Sequence, residues 1–158
     1  MNDLKQYEQT LRQIVLSDSA DIKMLLFENP LYYENQTDIK PWEHPCEYVP
    51  YLFDVWKMIK EKLLPDFDTR KSRGDKGLML KGMVCLITSF YWIRGTHSET
   101  FDWDEVSNKD FAVSPINWKE RAEYILQKPN QFPAFVQLDE LFIEMEKQFY
   151  KWKAMTNR

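Results

Sequence analysis

The sequence predicts an all-α fold, a bundle of about five helices around a buried central one, and three observations carry that prediction. Apolar side chains recur at 3-4 spacing in four separate segments, the period of a helix face. Residues 77–94 are apolar all round, as a helix enclosed by others must be. Asn-Gly, Asp-Gly and Gly-Gly pairs are absent, so no two-residue hairpin turn is signalled. The 158 residues fit a single helical domain spanning 1–158. A globule of this size buries roughly 70% of the surface that its unfolded chain exposes, enough for a real core.

Taken in order, the elements justify themselves one by one. Leu4, Tyr7, Leu11 and Ile14 share one helix face while Lys5, Glu8 and Arg12 lie opposite. Ser17-Asp18-Ser19 breaks that pattern and can cap a short helix over 20–27, which Asn29-Pro30 stops. Residues 30–46 carry prolines and polar side chains and read as a long loop, packed through Tyr32, Tyr33 and Trp42. A helix follows over 47–64, with Val49, Leu52, Trp56, Ile59 and Leu63 on one side, Pro50 in its first turn and Pro65 at its end.

The basic loop 70–76 leads into the apolar segment 77–94, where Leu80, Met83, Val84, Leu86, Ile87, Phe90, Tyr91 and Ile93 cover the circumference. Gly95 is placed to end it as a C-cap. Residues 96–114 are acidic and irregular, a second long loop anchored by Phe101, Trp103 and Phe111. Asn117 and Glu120 have the spacing of a capping box for the next helix, which stops near Lys128-Pro129. The last helix, over 134–153, repeats Phe135, Leu138, Phe142, Met145, Phe149 and Trp152 at 3-4-3-4-3.

Composition excludes several classes. With 44% hydrophobic and 15% aromatic residues the chain can fill a core, which argues against disorder. A formal charge of −4 excludes a general polyanion binder, although a local basic patch can still act. Two cysteines, Cys46 and Cys85, cannot staple a secreted scaffold, and the N-terminal residues lack the basic-then-apolar pattern of a signal peptide. The longest uncharged run, 82–93, is twelve residues, against the roughly 20 that span a bilayer. A cytoplasmic protein without membrane partners is the expectation.

The chemistry is equally constrained. Neither of the two histidines completes a Glu-x-x-His or His-Glu-x-x-His motif, and no cysteine–histidine zinc spacing exists. Residues 77–82 have the glycine spacing of a P-loop, but Met83-Val84 stands where Lys-Ser/Thr is required. Glu120 and Glu123 supply the first half of a helical pyrophosphatase motif, with no Glu-x-x-Asp after them. Asp102 and Asp104 begin a calcium loop that Val106-Ser107 does not continue. No cofactor, metal or catalytic set is therefore expected.

Three functional readings follow. The first is a non-enzymatic protein that binds another macromolecule, with self-association through the C-terminal helix as one form of it; aromatic and methionine side chains such as Trp152 and Met155 favour interfaces. The second is a nucleic-acid-associated factor using Arg70, Lys71, Arg73 and Lys76, a cluster able to clamp phosphates or to pair with the acidic stretch 99–110. The third is an enzyme with a carboxylate-bound metal drawn from His97, Asp102 and Asp104.

The block Ser114-Pro115-Ile116-Asn117-Trp118-Lys119-Glu120-Arg121, followed by Gln137-Leu138-Asp139-Glu140-Leu141, resembles the YpoC-like family of Bacillota. The matching positions are Pro115, Asn117, Glu120, Arg121, Gln137, Leu138 and Leu141. By gene neighbourhood the resemblance implies a link to DNA metabolism, an association rather than a mechanism. Physically, Pro115 and Asn117 start a helix, Glu120 closes its cap, and Arg121 pairs with a carboxylate across the bundle. Arg121 and Gln137 are the binding candidates that the resemblance adds.

Overall fold

The computed structural model describes residues 3–14, 21–35, 37–68 and 73–156. Among them the chain forms eight α-helices, one 3-10 turn and no strand, and five of the helices have ten residues or more. The order is α1 (Asp3–Gln13), α2 (Ile22–Glu28), α3 (Tyr32–Asn35), the 3-10 turn Pro41–Glu43, α4 (Pro45–Phe67), α5 (Lys76–Arg94), α6 (Trp103–Val106), α7 (Trp118–Gln127) and α8 (Phe132–Thr156). None of these helices is long and apolar enough to cross a membrane.

The central helix is α5, as its apolar circumference predicts. Met79, Leu80 and every residue from Gly82 to Trp92 are buried. Asp75 caps its start by accepting from the Leu78 N–H at 3.0 Å. Gly95 closes it in the left-handed region at φ +92, its N–H donating to the Tyr91 and Trp92 carbonyls. Inside it, burial pushes the Cys85 thiol up to about 12, so Cys85 is a small hydrophobe rather than a nucleophile.

Two helix boundaries differ from the sequence expectation. Helix α4 starts at Pro45, which leaves Pro50 inside it, and it runs past Pro65 to Phe67. Each internal proline removes one N–H from the ladder and crowds the carbonyl four residues back. Tertiary contacts explain the last turn: the Phe67 ring packs against Phe132 at 5.3 Å and Phe135 at 5.2 Å, and lies close against Gly74. Helix α2 is capped by Asp21, which accepts from the Lys23 and Met24 N–H groups. Ser17-Asp18-Ser19, expected as that cap, lies outside the described residues.

The two long connections carry short helical turns, α3 and the 3-10 turn in the first and α6 in the second. In the first, Tyr32 and Tyr33 are buried on α3, and Asn29 ties the region to α1 by donating to the Leu11 carbonyl at 2.8 Å. In the second, Phe101, Trp103 and Phe111 are buried, and Trp103 lies on the short α6.

Helices α4 and α8 run antiparallel along their length, joined by a ladder of aromatic and charged pairs. Phe53 meets Phe149, Trp56 stacks on Phe142 at 4.9 Å, and Phe67 meets Phe132. Lys57 pairs with Glu146 at 3.6 Å and Lys60 with Asp139 at 3.0 Å. The Trp56 indole N–H also donates to Asp139, at 3.0 Å. Gly82 lets that indole lie on the backbone of α5: a Cβ there would sit 2.7 Å from the ring and 3.0 Å from Leu138.

The capping box at Asn117 is not formed. Asn117 lies in the left-handed region at φ 56 and its side chain makes no cap hydrogen bond. Its carbonyl still accepts from the Arg121 N–H at 3.2 Å, so the helix begins where expected. The reason is the sharp turn after buried Pro115: the backbone needs a residue that tolerates positive φ, and asparagine is among the few besides glycine that do.

Two stability predictions follow from these positions. Asn117→Ser keeps a capping oxygen but loses the left-handed tolerance, so it destabilises by about 1 kcal/mol, as does Asn117→Ala, whereas Asn117→Gly is tolerated. Urea unfolding checks this, and a neutral Asn117→Ser would restore the capping box. Gly82→Ala would gain about 1 kcal/mol from helix propensity alone. Overpacking against the pinned Trp56 ring costs about 1–3 kcal/mol and outweighs it. Thermal unfolding should show a lower midpoint for Gly82→Ala; a higher one would mean that the ring moves aside freely.

Candidate functional site

Of the basic cluster, Arg73 and Lys76 are among the described residues. Arg70 and Lys71 lie outside the described residues. Arg73 is exposed but bridges in antiparallel fashion to Gln131, and the adjacent Gly74 N–H donates to the Asn130 carbonyl at 2.7 Å. Lys76 pairs with Asp3 at 2.8 Å, and that contact holds the Asp3 carboxyl below its usual range. In the acidic stretch, Asp102 pairs with Lys5, Glu99 with Lys109 and Asp110 with Lys119.

His97, Asp102 and Asp104 do not converge on a common point. Asp102 caps α6, accepting from the Asp104 N–H, while the His97 ring meets Trp42 edge-on at 5.9 Å. Among the described residues no group of three or more histidine, cysteine or acidic side chains is arranged to hold a metal ion.

Arg121 and Gln137 are brought together. With its carboxamide oxygen facing the guanidinium, Gln137 accepts from Arg121 Nε at 2.6 Å and Nη2 at 3.0 Å. Arg121 also pairs with Glu144 of α8, the carboxylate across the bundle that the sequence anticipates, and donates through Nη1 to the Ile116 carbonyl at 3.1 Å. These three side chains line an open cleft with Glu140 and Ile143. Because the guanidinium spends most of its donors inside the chain, it acts first as a clamp holding α7 on α8.

Around that cleft the outer surface of α8 carries a second stripe, opposite the one that faces the core. Phe135, Leu138, Phe142, Met145 and Phe149 are buried, as their spacing predicts. Val136, Ile143 and Tyr150 repeat every seven residues on the other side, and the last two are 47% and 45% exposed. Glu140, Lys147 and Ala154 complete the outer stripe and are exposed too. Tyr124 of α7, half exposed, lines a small depression with Pro133 and Ala134 at the start of α8. The seven-residue repeat is readable in the sequence, but the stronger aromatic stripe beside it hides it.

A polar centre that no motif announces sits at the other end of α5. The Glu34 side chain is 2% exposed. One of its oxygens accepts from the Ser98 N–H at 2.9 Å; the other accepts from Trp92 Nε1 at 2.9 Å and Ser98 Oγ at 2.8 Å. Arg12 stands 3.9 Å away, held by Glu8, Asn35 and the Ser98 carbonyl. Glu8, Arg12, Trp42, His97 and Glu99 rim the depression above it. Residues 12, 34, 92 and 98 come from four separate segments, so no spacing rule could have grouped them. With each carboxylate oxygen satisfied, this centre is built to hold the connections on α5.

A sequence model of the family described as "YpoC-like protein" matches residues 46–157, which include α5, α7 and α8. The chain is 49% identical over 155 residues to "Uncharacterized protein YpoC" of Bacillus subtilis (strain 168), covering 96% of this chain and 94% of that relative. No solved structure matches it.

Glu34→Gln tests the polar centre. The amide has one acceptor oxygen where the carboxylate has two, so a buried donor loses its partner and an amide N–H faces other donors. A loss of about 2 kcal/mol is expected in denaturant unfolding. An unchanged midpoint would mean that the carboxylate contributes nothing to holding residues 96–102.

Proposed function

This chain belongs to the YpoC-like family, and we propose that it works without catalysis, by docking another macromolecule on the outer face of α7 and α8. The observation that carries this reading is the outer stripe of α8, where Val136, Ile143 and Tyr150 stand on a helix whose opposite face is already filled by the core. A helix needs one apolar stripe to fold onto its neighbours; on the second, Ile143 and Tyr150 stay about half exposed, and the Tyr150 ring meets Phe149 and Lys153 of the same helix.

The support under this face fits docking. The ladder to α4 and the Arg121 clamp to α7 hold α8 on both sides, so little ordering entropy remains to be lost on binding. Exposed tyrosines beside a partly buried arginine are the side chains that most often dominate binding energy at interfaces. For the nucleic-acid alternative, Lys76 is already engaged, because it pairs with Asp3 within the chain.

Photo-crosslinking tests the reading. A benzophenone amino acid replacing Val136 or Tyr150, in the native host, should give covalent adducts of higher mass. The same probe replacing Met24, equally exposed on α2, should not. Absence of adducts from both α8 positions would overturn the proposal.

A further inference from the structure

We infer that the occupant of this face is a second copy of the chain, seated with its α8 antiparallel across a two-fold axis at Ile143. The inference rests on the docking reading above and deepens it by naming the partner.

The stripe is symmetric about its middle. Val136 and Tyr150 stand seven residues to either side of Ile143, with Glu140 three residues before it and Lys147 four after it. In an antiparallel pair each Val136 meets the other copy's Tyr150, Ile143 meets Ile143, and each Glu140 falls within one residue of a Lys147, inside the reach of its long side chain. A closed two-fold contact requires this self-complementarity, in which one patch satisfies itself twice. A parallel, in-register pairing would put Glu140 on Glu140 and Lys147 on Lys147, so the charges select the antiparallel arrangement.

The charges left over point the same way. Asp139, Glu144 and Glu146 of α8 are all paired within the chain, with Lys60, Arg121 and Lys57. Among the described residues Glu140, Lys147, Lys151 and Lys153 of α8 form no ion pair; Lys153 lies over the Tyr150 ring, and Glu140 and Lys147 project from the stripe itself. From Val136 to Ala154 the stripe is about 27 Å long at 1.5 Å per residue, room for the contact to repeat over several turns.

Analytical ultracentrifugation of the full chain, across a concentration series, provides the test. The weight-average mass should climb from 19.1 kDa toward twice that value. Glu140→Lys and Lys147→Glu should each weaken the dimer by about tenfold or more, because each alone sets like charges opposite one another. An equimolar mixture of the two variants should restore it, since every contact then joins a Lys to a Glu. The double reversal should restore it as well. Ile143→Asp should leave a monomer with unchanged helicity, as an exposed side chain contributes little to folding. A wild-type chain that stays monomeric overturns the inference, as do a dimer indifferent to Ile143→Asp and a variant mixture that fails to recover. If the wild type is monomeric yet the Val136 and Tyr150 probes capture a different macromolecule, the self-pairing fails while the docking reading stands. If the probes capture nothing, both fail.

Discussion

The Trp56 indole lies directly on the backbone of α5 at Gly82, and the arrangement of the long helices depends on that contact. The ring has no free side. It stacks on Phe142, its N–H is taken by Asp139, and Lys60 reaches the same carboxylate. Any side chain at position 82 would push the ring outward and carry α8 with it. Three helices therefore share one close approach, and it sets how far α8 stands from the central helix.

Placed this way, α8 has two apolar stripes and one polar edge on each side. The edge toward α4 is closed by Lys57 and Lys60, and the edge toward α7 by Arg121. Partly exposed ion pairs of this kind contribute little to stability, typically below about 1 kcal/mol each. They lie on the two edges between the buried stripe and the outer one, and so fit the rotation, set by that buried stripe, in which Ile143 and Tyr150 face outward. Stability and presentation of the surface thus draw on the same side chains.

At the other end of α5 the problem is different, since two irregular connections must be held on an apolar helix. Glu34 does this by offering two carboxylate oxygens to donors on both α5 and the following segment, with Arg12 closing the site from α1. Buried ionic groups are costly to desolvate, and this one is acceptable because its oxygens are met by donors at hydrogen-bond distance. Asn29 plays a smaller version of the same part, joining α1 to the turn before α3 through its carboxamide.

The periodic features were legible in the sequence by itself. Apolar spacing every three to four residues is a property of neighbours along one chain, so the all-α class, the central position of α5 and the core face of α8 could all be read from it. The pairing of Arg121 with a carboxylate was legible too, although not which one. What the tertiary structure decided was whatever depends on residues far apart in the chain. Helix α4 continues past Pro65 because Phe67 finds Phe132 and Phe135, and local propensity knows nothing of those rings. Asn117 adopts a left-handed turn instead of a capping box because the chain must change direction after Pro115, so the same residue type serves a different geometry. Glu34 and Ser98 meet across sixty-four positions, and the outer stripe of α8 stays exposed only because α4 and α7 occupy its two sides. Periodicity tells which faces are apolar; only packing decides which of them the chain itself covers.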